Sequence, residues 1–267
     1  SFIMDGARLC VVSGSQNRSG MALHCEICQY TRFLKSNKKP IADGTRWWRC
    51  GKCGHIQLGY KPYVKQEPRE LYIDIETSPN LALLYDLKVP SGYVNPDMIL
   101  KDWFIIGWSA EWMNCYGHKN YSAVVSSRDA RNWNDSHILR PLRDLMDEAD
   151  LVWGHNYKKF DRKKINTRLL VNKIKPPEKY QMIDTLQVAR SNFAFASSKL
   201  EFINERIGNN PKFDIDLDDW KACLRGDTKT LKKVREYNIG DVKEGIAMVK
   251  KMREWIVPFP KLMTYVR

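Results

Sequence analysis

The stretch LYIDIETSP, residues 71–79, decides the fold and contains the first candidate site residues. Apolar and polar residues alternate along it, as they do in a β-strand whose side chains point to opposite faces in turn. The leucine and two isoleucines share one face, and Asp74 and Glu76 share the other. Two such carboxylates repel each other, and burying them is costly without a cation or a shared proton. The pair indicates a divalent metal with oxygen ligands, and an acidic edge strand is the alternative that this motif leaves open.

The composition is that of a globular protein with a polyanionic partner. The 267 residues are enough for one domain of about 200 residues and a small module. There are 44 basic and 31 acidic residues, and the net charge of +13 favours nucleic acid as the partner. The sequence shows no signal peptide and no apolar run near the roughly 18 residues of a membrane span, so we expect a soluble, cytoplasmic protein without membrane contact.

Four of the seven cysteines form two C-x2-C pairs, Cys25 with Cys28 and Cys50 with Cys53. Each pair makes a tight turn that can direct two thiolates at one point, and the intervening residues suit a small ribbon of strands around tetrahedral Zn²⁺. An odd cysteine count with this pairing indicates metal ligation in a reducing compartment. The sequence therefore predicts a zinc ribbon with one structural Zn²⁺ in residues 21–62, with the metal supplying its folding energy.

The predicted ribbon is also basic and rich in aromatic residues. Cations for phosphates and aromatic faces for bases are typical of a single-strand binding surface. Trp47 and Trp48 alternate on a strand, so one of them faces outward, and we take Trp48 as the candidate base contact. The alternative is that these aromatic residues form the small core of the ribbon.

Two segments flank the ribbon. Residues 1–20 show no period and are rich in Ser, Gly and Asn, and Met21 follows them directly. We expect these twenty residues to be an expression leader or a disordered tail. Residues 63–69 are polar, contain a proline, and form the expected linker into the acidic strand.

After residue 79 the predicted strands come first and the helices later. The patterns predict strands at 103–113, 115–125, 151–154 and 181–183, and helices at 137–149, 158–172, 184–192, 198–207, 217–225 and 228–256. Pro141 is expected in the first turn of its helix. A meander of strands followed by alternating strands and helices predicts an α/β fold, with a mixed sheet flanked by helices.

Two further carboxylates occur at informative positions. Asp161 follows a buried strand that ends at a glycine and turns into a helix. Asp241 lies four residues after Tyr237 on the last predicted helix, on a face that apolar residues continue from Gly245 to Trp255. An acid at a helix start also serves as a cap, and an inward carboxylate also serves in a buried ion pair, so each motif alone has a structural alternative.

In chain order the motifs are D-x-E at 74–76, H-N-x3-F-D at 155–161 and Y-x3-D at 237–241. This set resembles the DEDDy class of 3′–5′ exonucleases in the ribonuclease-H-like superfamily, which includes the proofreading domains of family-B DNA polymerases. The run DIETSP is similar to stand-alone exonucleases of that class, many of them from phages. The resemblance covers residues 70–256. It implies a ribonuclease-H-like mixed sheet, with an antiparallel meander leading into parallel strands, in a domain that we place at 70–267.

The resemblance also implies the roles of the site residues. Asp74, Glu76, Asp161 and Asp241 would bind two Mg²⁺ or Mn²⁺ about 4 Å apart, which clamp the scissile phosphate, activate a water and stabilise the leaving 3′ oxygen. Tyr237 places the site in the tyrosine subclass. A phenol with a pKa near 10 is a poor base at neutral pH, so we expect this hydroxyl to orient the water. The products would be 5′-mononucleotides.

Substrate contacts are expected around the second motif. We expect His155 and Asn156 to hydrogen-bond the substrate or a metal-bound water, and Asp184, in an Asp-Thr pair that recurs in such proteins, to be structural. Basic residues crowd the segment that follows: Lys158, Lys159, Arg162, Lys163, Lys164, Arg168, Lys173 and Lys175. Because this helix starts at the site, phosphate binding is favoured over a merely solvated face. The acidic residues within 214–219 are interpreted as helix caps.

The sequence thus predicts a metal-dependent 3′–5′ exonuclease on single-stranded 3′ ends, with DNA favoured over RNA and the zinc ribbon presenting or selecting substrate. One alternative is a structure-specific endonuclease or ribonuclease on the same fold. Another is a catalytically silent nucleic-acid-binding protein, against which the complete set of carboxylates and the tyrosine argue. The phage-like resemblance places the protein in the cytoplasm of a bacterial or infected host cell. The sequence identifies no particular replication or repair partner.

Overall fold

The computed structural model describes residues 33–35, 46–50, 53–59, 68–86, 88, 92–113, 120–209 and 214–260. The chain divides into two compact units, Ser1–Glu67 and Pro68–Arg267. Several predictions fall outside the described residues: the leader or tail, the ligands Cys25 and Cys28, and most of the linker. These remain expectations from the sequence.

Three strands of the first unit form an antiparallel sheet in the order β1-β2-β3, with β1 at Phe33–Lys35, β2 at Arg46–Cys50 and β3 at Ile56–Gly59. A tight turn joins β2 to β3. In it the Gly54 N–H donates to the Cys50 carbonyl at 3.1 Å, and the Cys50 N–H donates to the His55 carbonyl at 2.8 Å. Gly54 has a φ of +76°, which glycine adopts without steric cost. The second predicted cysteine pair therefore lies at this turn, with Cys50 buried and Cys53 exposed.

The second unit is built on a five-stranded sheet in the order β10-β9-β4-β7-β8. The strands are β4 at Glu70–Thr77, β7 at Ile105–Trp112, β8 at Asn120–Val124, β9 at Leu151–Gly154 and β10 at Gln181–Asp184. β4, β7 and β8 form an antiparallel meander, β9 runs parallel to β4, and β10 runs parallel to β9. This is a mixed sheet flanked by helices, so the predicted α/β, ribonuclease-H-like fold class is confirmed.

Helices cover both faces of this sheet: α1 at Ser127–Asn132, α2 at Ser136–Glu148, α3 at Asp161–Val171, α4 at Thr185–Asn192, α5 at Leu200–Arg206, α6 at Leu217–Leu224 and α7 at Thr228–Met252. Leu71, Ile73 and Ile75 of β4 pack in one core with α2 and α3. Tyr72 packs in a second core with Trp153 and the second half of α7. The alternation of β4 therefore divides its side chains between two cores. Within the described ranges, no helix is both long and apolar enough to cross a bilayer.

Short elements were missed by the sequence analysis. β5 at Leu81–Ala82 and β6 at Ile99–Lys101 pair with each other in a separate two-stranded sheet, and α1 has six residues. Elements of this length contain too few residues to show a hydrophobic period. Pro141 is the sixth residue of α2 and so lies beyond the first turn, in contrast to the prediction. Because proline has no N–H, the carbonyl of His137 lacks its usual helical hydrogen bond.

The last helix ends at Met252, earlier than predicted, and an ion pair follows directly. Arg253 lies in a 3-10 turn after α7 and donates to Glu70 through both terminal nitrogens, at 2.7 and 2.6 Å. Glu70 is 3% exposed and also accepts from the Trp153 indole at 2.9 Å. Trp255 therefore leaves the apolar face of α7 and is 59% exposed, in contrast to the prediction.

A second buried carboxylate, Asp135, joins α2, α3 and β7. It accepts from the Ile105 N–H at 2.9 Å, from Arg168 at 2.7 and 2.8 Å and from the Asn172 amide at 3.1 Å. Asp135 is fully buried. Arg168 was expected among the phosphate-binding residues, but both of its contacts to Asp135 hold its guanidinium in the interior instead.

We expect Asp135→Asn to lower the free energy of unfolding by about 3 kcal/mol, because an amide cannot compensate the charge of Arg168, whose side chain is 12% exposed. The measurement is urea unfolding. The matched control is Asp144→Asn, which removes an exposed pair with Arg143 and should change stability very little. Equal effects of the two substitutions would show that the Asp135 network does not stabilise the fold.

Candidate functional site

Asp74 and Glu76 lie on the part of β4 that extends past the end of β9. β9 pairs with β4 only as far as Tyr72, whereas β7 pairs with β4 from Leu71 to Thr77. Both carboxylates are half-buried. They therefore share one face of the strand, next to an edge that β9 leaves uncovered.

Helix α7 brings a third carboxylate to this pair. It packs across β4 and β7, and one carboxylate oxygen from each of Asp74, Glu76 and Asp241 lies within 4.8 Å of the others. Gly245 follows Asp241 by one turn, and a Cβ at this glycine would overlap the phenol of Tyr72. The absence of a side chain at Gly245 thus lets the helix come close enough to the strand to complete the group.

Asp161 lies beside this group and not within it. It is the first residue of α3, is 3% exposed, and its Oδ1 accepts from the Ile75 N–H at 3.2 Å. Ile75 lies between the two carboxylates of β4, beyond the last residue that pairs with β9. Asp161 therefore accepts the hydrogen bond that a neighbouring strand would otherwise accept from the Ile75 N–H. Burial raises the pKa of Asp161 to about 7, although the Ile75 hydrogen bond acts in the opposite direction. The structure brings three of the four predicted ligands together and places the fourth against the strand that carries two of them.

Tyr237 lies one turn before Asp241 on α7. Burial raises the pKa of its phenol well above the ordinary value, and the charges of Asp241, Glu76 and Asp74 raise it further. Tyr237 therefore keeps its proton at neutral pH and is a hydrogen-bond donor in the field of the three carboxylates.

The sequence analysis missed Asn238, which holds one of the carboxylates. This side chain is 1% exposed, and its amide nitrogen donates to Asp74 Oδ2 at 2.5 Å. Among the described residues its amide oxygen has no hydrogen-bond partner. Its spacing of three residues from Asp241, on an inward helix face, was the available signal.

Asp184 fixes the turn between β9 and α3. Its carboxylate accepts from the backbone N–H groups of Asn156, Lys158 and Leu186 at 2.9 to 3.0 Å, and it is 2% exposed. Because the turn uses these N–H groups, and because Asn156 has a φ of +62°, the helix begins at Asp161 and not at residue 158 as predicted. Asp184 has the structural role that the sequence suggested.

His155 makes hydrogen bonds within the protein, and the substrate contact that we expected of it stays a prediction. Its Nδ1 lies 3.0 Å from the Thr185 hydroxyl, and its Nε2 lies 2.9 Å from the Ser198 carbonyl. Burial lowers the pKa of His155, which favours a neutral ring. A carbonyl only accepts, so the proton lies on Nε2, and both nitrogens are used within the protein.

The other predicted substrate contacts differ in their surroundings. Asn156 and Lys159 line a shallow cavity of about 320 Å³ at the ends of β9 and β10. The Lys158 ammonium donates to Gln187 at 3.1 Å, and Lys163 is exposed. Arg162 is half-buried on the first turn of α3, and the side chain of Trp48 lies outside the described part of the chain. The contacts of these residues with substrate remain predictions.

Comparison with known families identifies the fold. Residues 112–255, more than half of the chain, match a family model described as RNase_H superfamily. The chain belongs to the RNase H superfamily. The match includes Asp161 on α3 and both Tyr237 and Asp241 on α7, and it begins after the strand that carries the first two carboxylates.

A solved structure shares the fold of this RNase H superfamily chain. The family B DNA polymerase from the hyperthermophilic archaeon Pyrobaculum calidifontis superimposes with a TM-score of 0.53 over 83% of this chain, at 12% identity. The chain spans 28% of the length of that polymerase. At this identity the likeness shows the fold alone. No curated protein matches the sequence.

The donor set of the site fits a divalent cation. Asp74, Glu76 and Asp241 offer only carboxylate oxygens, which are the ligands of hard ions such as Mg²⁺ and Mn²⁺. Carboxylates this close repel one another, and a cation offsets the repulsion. Nucleases of the RNase H superfamily use divalent metals, and the acidic group of this chain suits that chemistry.

Asp161 makes the stability of the protein depend on pH when no Mg²⁺ or Mn²⁺ is added. Its folded pKa of about 7 exceeds the value of about 3.9 for an unfolded Asp, so between these values the folded state holds a proton that the unfolded state has lost. This contribution to stability is present below about pH 4 and is lost as the pH rises through about 7.

The measurement is thermal unfolding between pH 4 and 8, with and without added Mn²⁺. We expect Asp161→Asn to be less sensitive to pH than the wild type, because the amide does not ionise, and Mn²⁺ to stabilise the wild type most at pH 8. An identical pH dependence in the two proteins would contradict the raised pKa of Asp161.

Proposed function

We propose that the protein is a metal-dependent 3′–5′ exonuclease of the DEDDy class. It hydrolyses phosphodiester bonds of single-stranded nucleic acid, DNA in preference to RNA, and releases 5′-mononucleotides. The observation that carries the proposal is the group of Asp74, Glu76 and Asp241 within 4.8 Å, in a fold of the RNase H superfamily. The order of the three sequence motifs supports the class.

Four carboxylates would hold the metal ions. Asp74, Glu76 and Asp241 offer their oxygens on one face of the sheet, and Asp161 supplies a fourth carboxylate at the start of α3. A bound pair of Mg²⁺ or Mn²⁺ ions supplies activation of the attacking water and stabilisation of the leaving 3′ oxygen. Asn238 keeps Asp74 in place by donating to its Oδ2.

Tyr237 orients the attacking water in this proposal. Its raised pKa excludes the phenol as a general base at neutral pH, so it acts by donating a hydrogen bond. Its position one turn before Asp241 places it in the field of the carboxylates that bind the metal.

The surroundings of the site favour an unpaired strand. Phe160 directly precedes Asp161 and is 40% exposed, so it offers an aromatic face to an unstacked base. Lys158, Lys159 and Lys163, together with Arg162, are the proposed contacts for the backbone phosphates. The N-terminal ribbon, through Trp48, presents or selects the strand.

The test is cleavage of 5′-labelled single-stranded DNA, duplex DNA and RNA with Mg²⁺ or Mn²⁺. We expect a ladder that shortens from the 3′ end, fastest on single-stranded DNA, and a rate reduced more than about 100-fold in Asp74→Ala and Asp241→Ala. Glu236→Gln is the matched control because this exposed carboxylate lies on α7 and pairs with Lys232 at 3.8 Å, its one ion pair among the described residues. It should retain full activity.

The other outcomes separate the alternatives. A single internal cut would favour a structure-specific endonuclease, and preferred cleavage of RNA would favour a ribonuclease on the same fold. Binding of single strands without cleavage under any metal would identify a silent nucleic-acid-binding protein and overturn the proposal.

We further propose one structural Zn²⁺ on Cys25, Cys28, Cys50 and Cys53. The tight turn at Gly54 supports this proposal because it brings two of these cysteines into one loop. Cys50→Ser is expected to remove the zinc and to unfold the first unit, since a ribbon of this size depends on its metal.

The measurement for the zinc proposal is the zinc content per chain by elemental analysis. Cys223→Ala is the control. Cys223 is buried, and burial raises the pKa of its thiol to about 12, so it stays protonated at neutral pH and is no zinc ligand. The variant should keep one equivalent of zinc. Full zinc content in Cys50→Ser would exclude this cysteine as a ligand.

A further inference from the structure

Lys164 has surroundings that differ from those of its basic neighbours on α3. Its ammonium lies 3.9 Å from the ring centroid of Trp103 and 5.0 Å from that of Phe160, and it donates to the Thr77 hydroxyl at 3.4 Å. Thr77 directly follows one carboxylate of the site, and Phe160 directly precedes another. The cation is therefore held between two segments that each carry a proposed metal ligand.

Within the part of the chain that the structure describes, no carboxylate pairs with Lys164. The ammonium is half-buried, and among the described residues no carboxylate lies within 4.0 Å of it. Burial lowers the pKa of Lys164, and Asp102, beyond ion-pair distance, acts in the opposite direction. A half-buried cation without an anionic partner is costly, so this position favours an external anion.

The neighbouring cations differ from Lys164 in this respect. Arg168 is neutralised by Asp135. The hydrogen bond from Lys158 to the uncharged Gln187 is exposed, and Lys159 and Lys163 are exposed too, so water compensates the charges of these three lysines. A packing role on Trp103 would need only an aliphatic chain, which methionine also provides. A packing role therefore does not explain why the side chain at position 164 carries a positive charge beside the acidic group.

We propose that Lys164 binds a non-scissile phosphodiester group of the bound single strand, with Trp103 and Thr77 holding its ammonium in position. This inference rests on the proposed function and deepens it, because it names the contact that fixes the strand next to the carboxylates. The acidic group repels a polyanion, and Lys164 offsets that repulsion at its edge.

The test is equilibrium binding of a fluorescein-labelled dT12 strand and an rU12 strand, with Ca²⁺ in place of Mg²⁺ and the probes checked for integrity. Lys164→Met keeps the aliphatic stem and removes the charge. We expect about tenfold weaker binding, as for the loss of a hydrogen bond from a charged group, and a salt dependence reduced by about 0.7 in log–log slope. The fold-loss should be equal for both strands, since phosphate is common to them.

Lys250→Met is the control with the same change in net charge, on an exposed position of α7, and its affinity should change less than twofold. Lys164→Arg should recover part of the lost affinity. Unchanged affinity in Lys164→Met would overturn the inference. A loss of affinity with an unchanged salt slope would also overturn it, because it would indicate packing and not a phosphate contact.

Cleavage by the wild type separates this inference from the proposed function. If the wild type shortens strands from the 3′ end while Lys164→Met binds normally, the phosphate contact is wrong and the exonuclease stands. If the wild type binds but never cleaves, and Lys164→Met loses affinity and salt slope, the phosphate contact stands and the exonuclease proposal fails.

Discussion

The mutual repulsion of three carboxylates is the constraint on which the architecture of the site depends. Asp74, Glu76 and Asp241 lie within 4.8 Å of one another, and like charges at this distance separate unless the backbone holds them. The fold holds them by packing α7 directly on β4, where Gly245 admits the Tyr72 phenol. Folding energy from the two cores thus keeps this acidic group assembled, and its oxygen ligands suit a divalent cation.

Other buried carboxylates of the domain show how the fold treats a charge that has only a structural role. Glu70 is neutralised by Arg253, Asp135 is neutralised by Arg168, and Asp184 accepts three backbone N–H groups. Asp161 differs, since it is equally buried and its pKa rises to about 7. A buried carboxyl whose pKa is raised this far is typical of a functional position. Asp161 is also the third carboxylate in the order of the sequence motifs.

The basic segment after the second motif shows why charge runs are hard to interpret from sequence. Arg168 and Lys164 lie four residues apart on α3, yet one pairs with a buried carboxylate and the other faces two aromatic rings and a hydroxyl. Their partners, Asp135, Trp103 and Thr77, come from distant parts of the chain. Local spacing carries no information about these contacts, so composition alone assigned all the cations the same role.

The sequence by itself determined the strand of Asp74 and Glu76, the α/β class, and the Tyr237–Asp241 face, because alternation and helical spacing are local properties of the chain. Only the tertiary structure decided that Asp161 takes the edge of β4, that Asn238 holds Asp74, and that His155 bonds within the protein. These contacts join residues far apart in sequence, and they depend on where β9 ends and how closely α7 packs. The physical reason is that hydrogen bonds and ion pairs are selected by three-dimensional proximity, which periodicity does not encode.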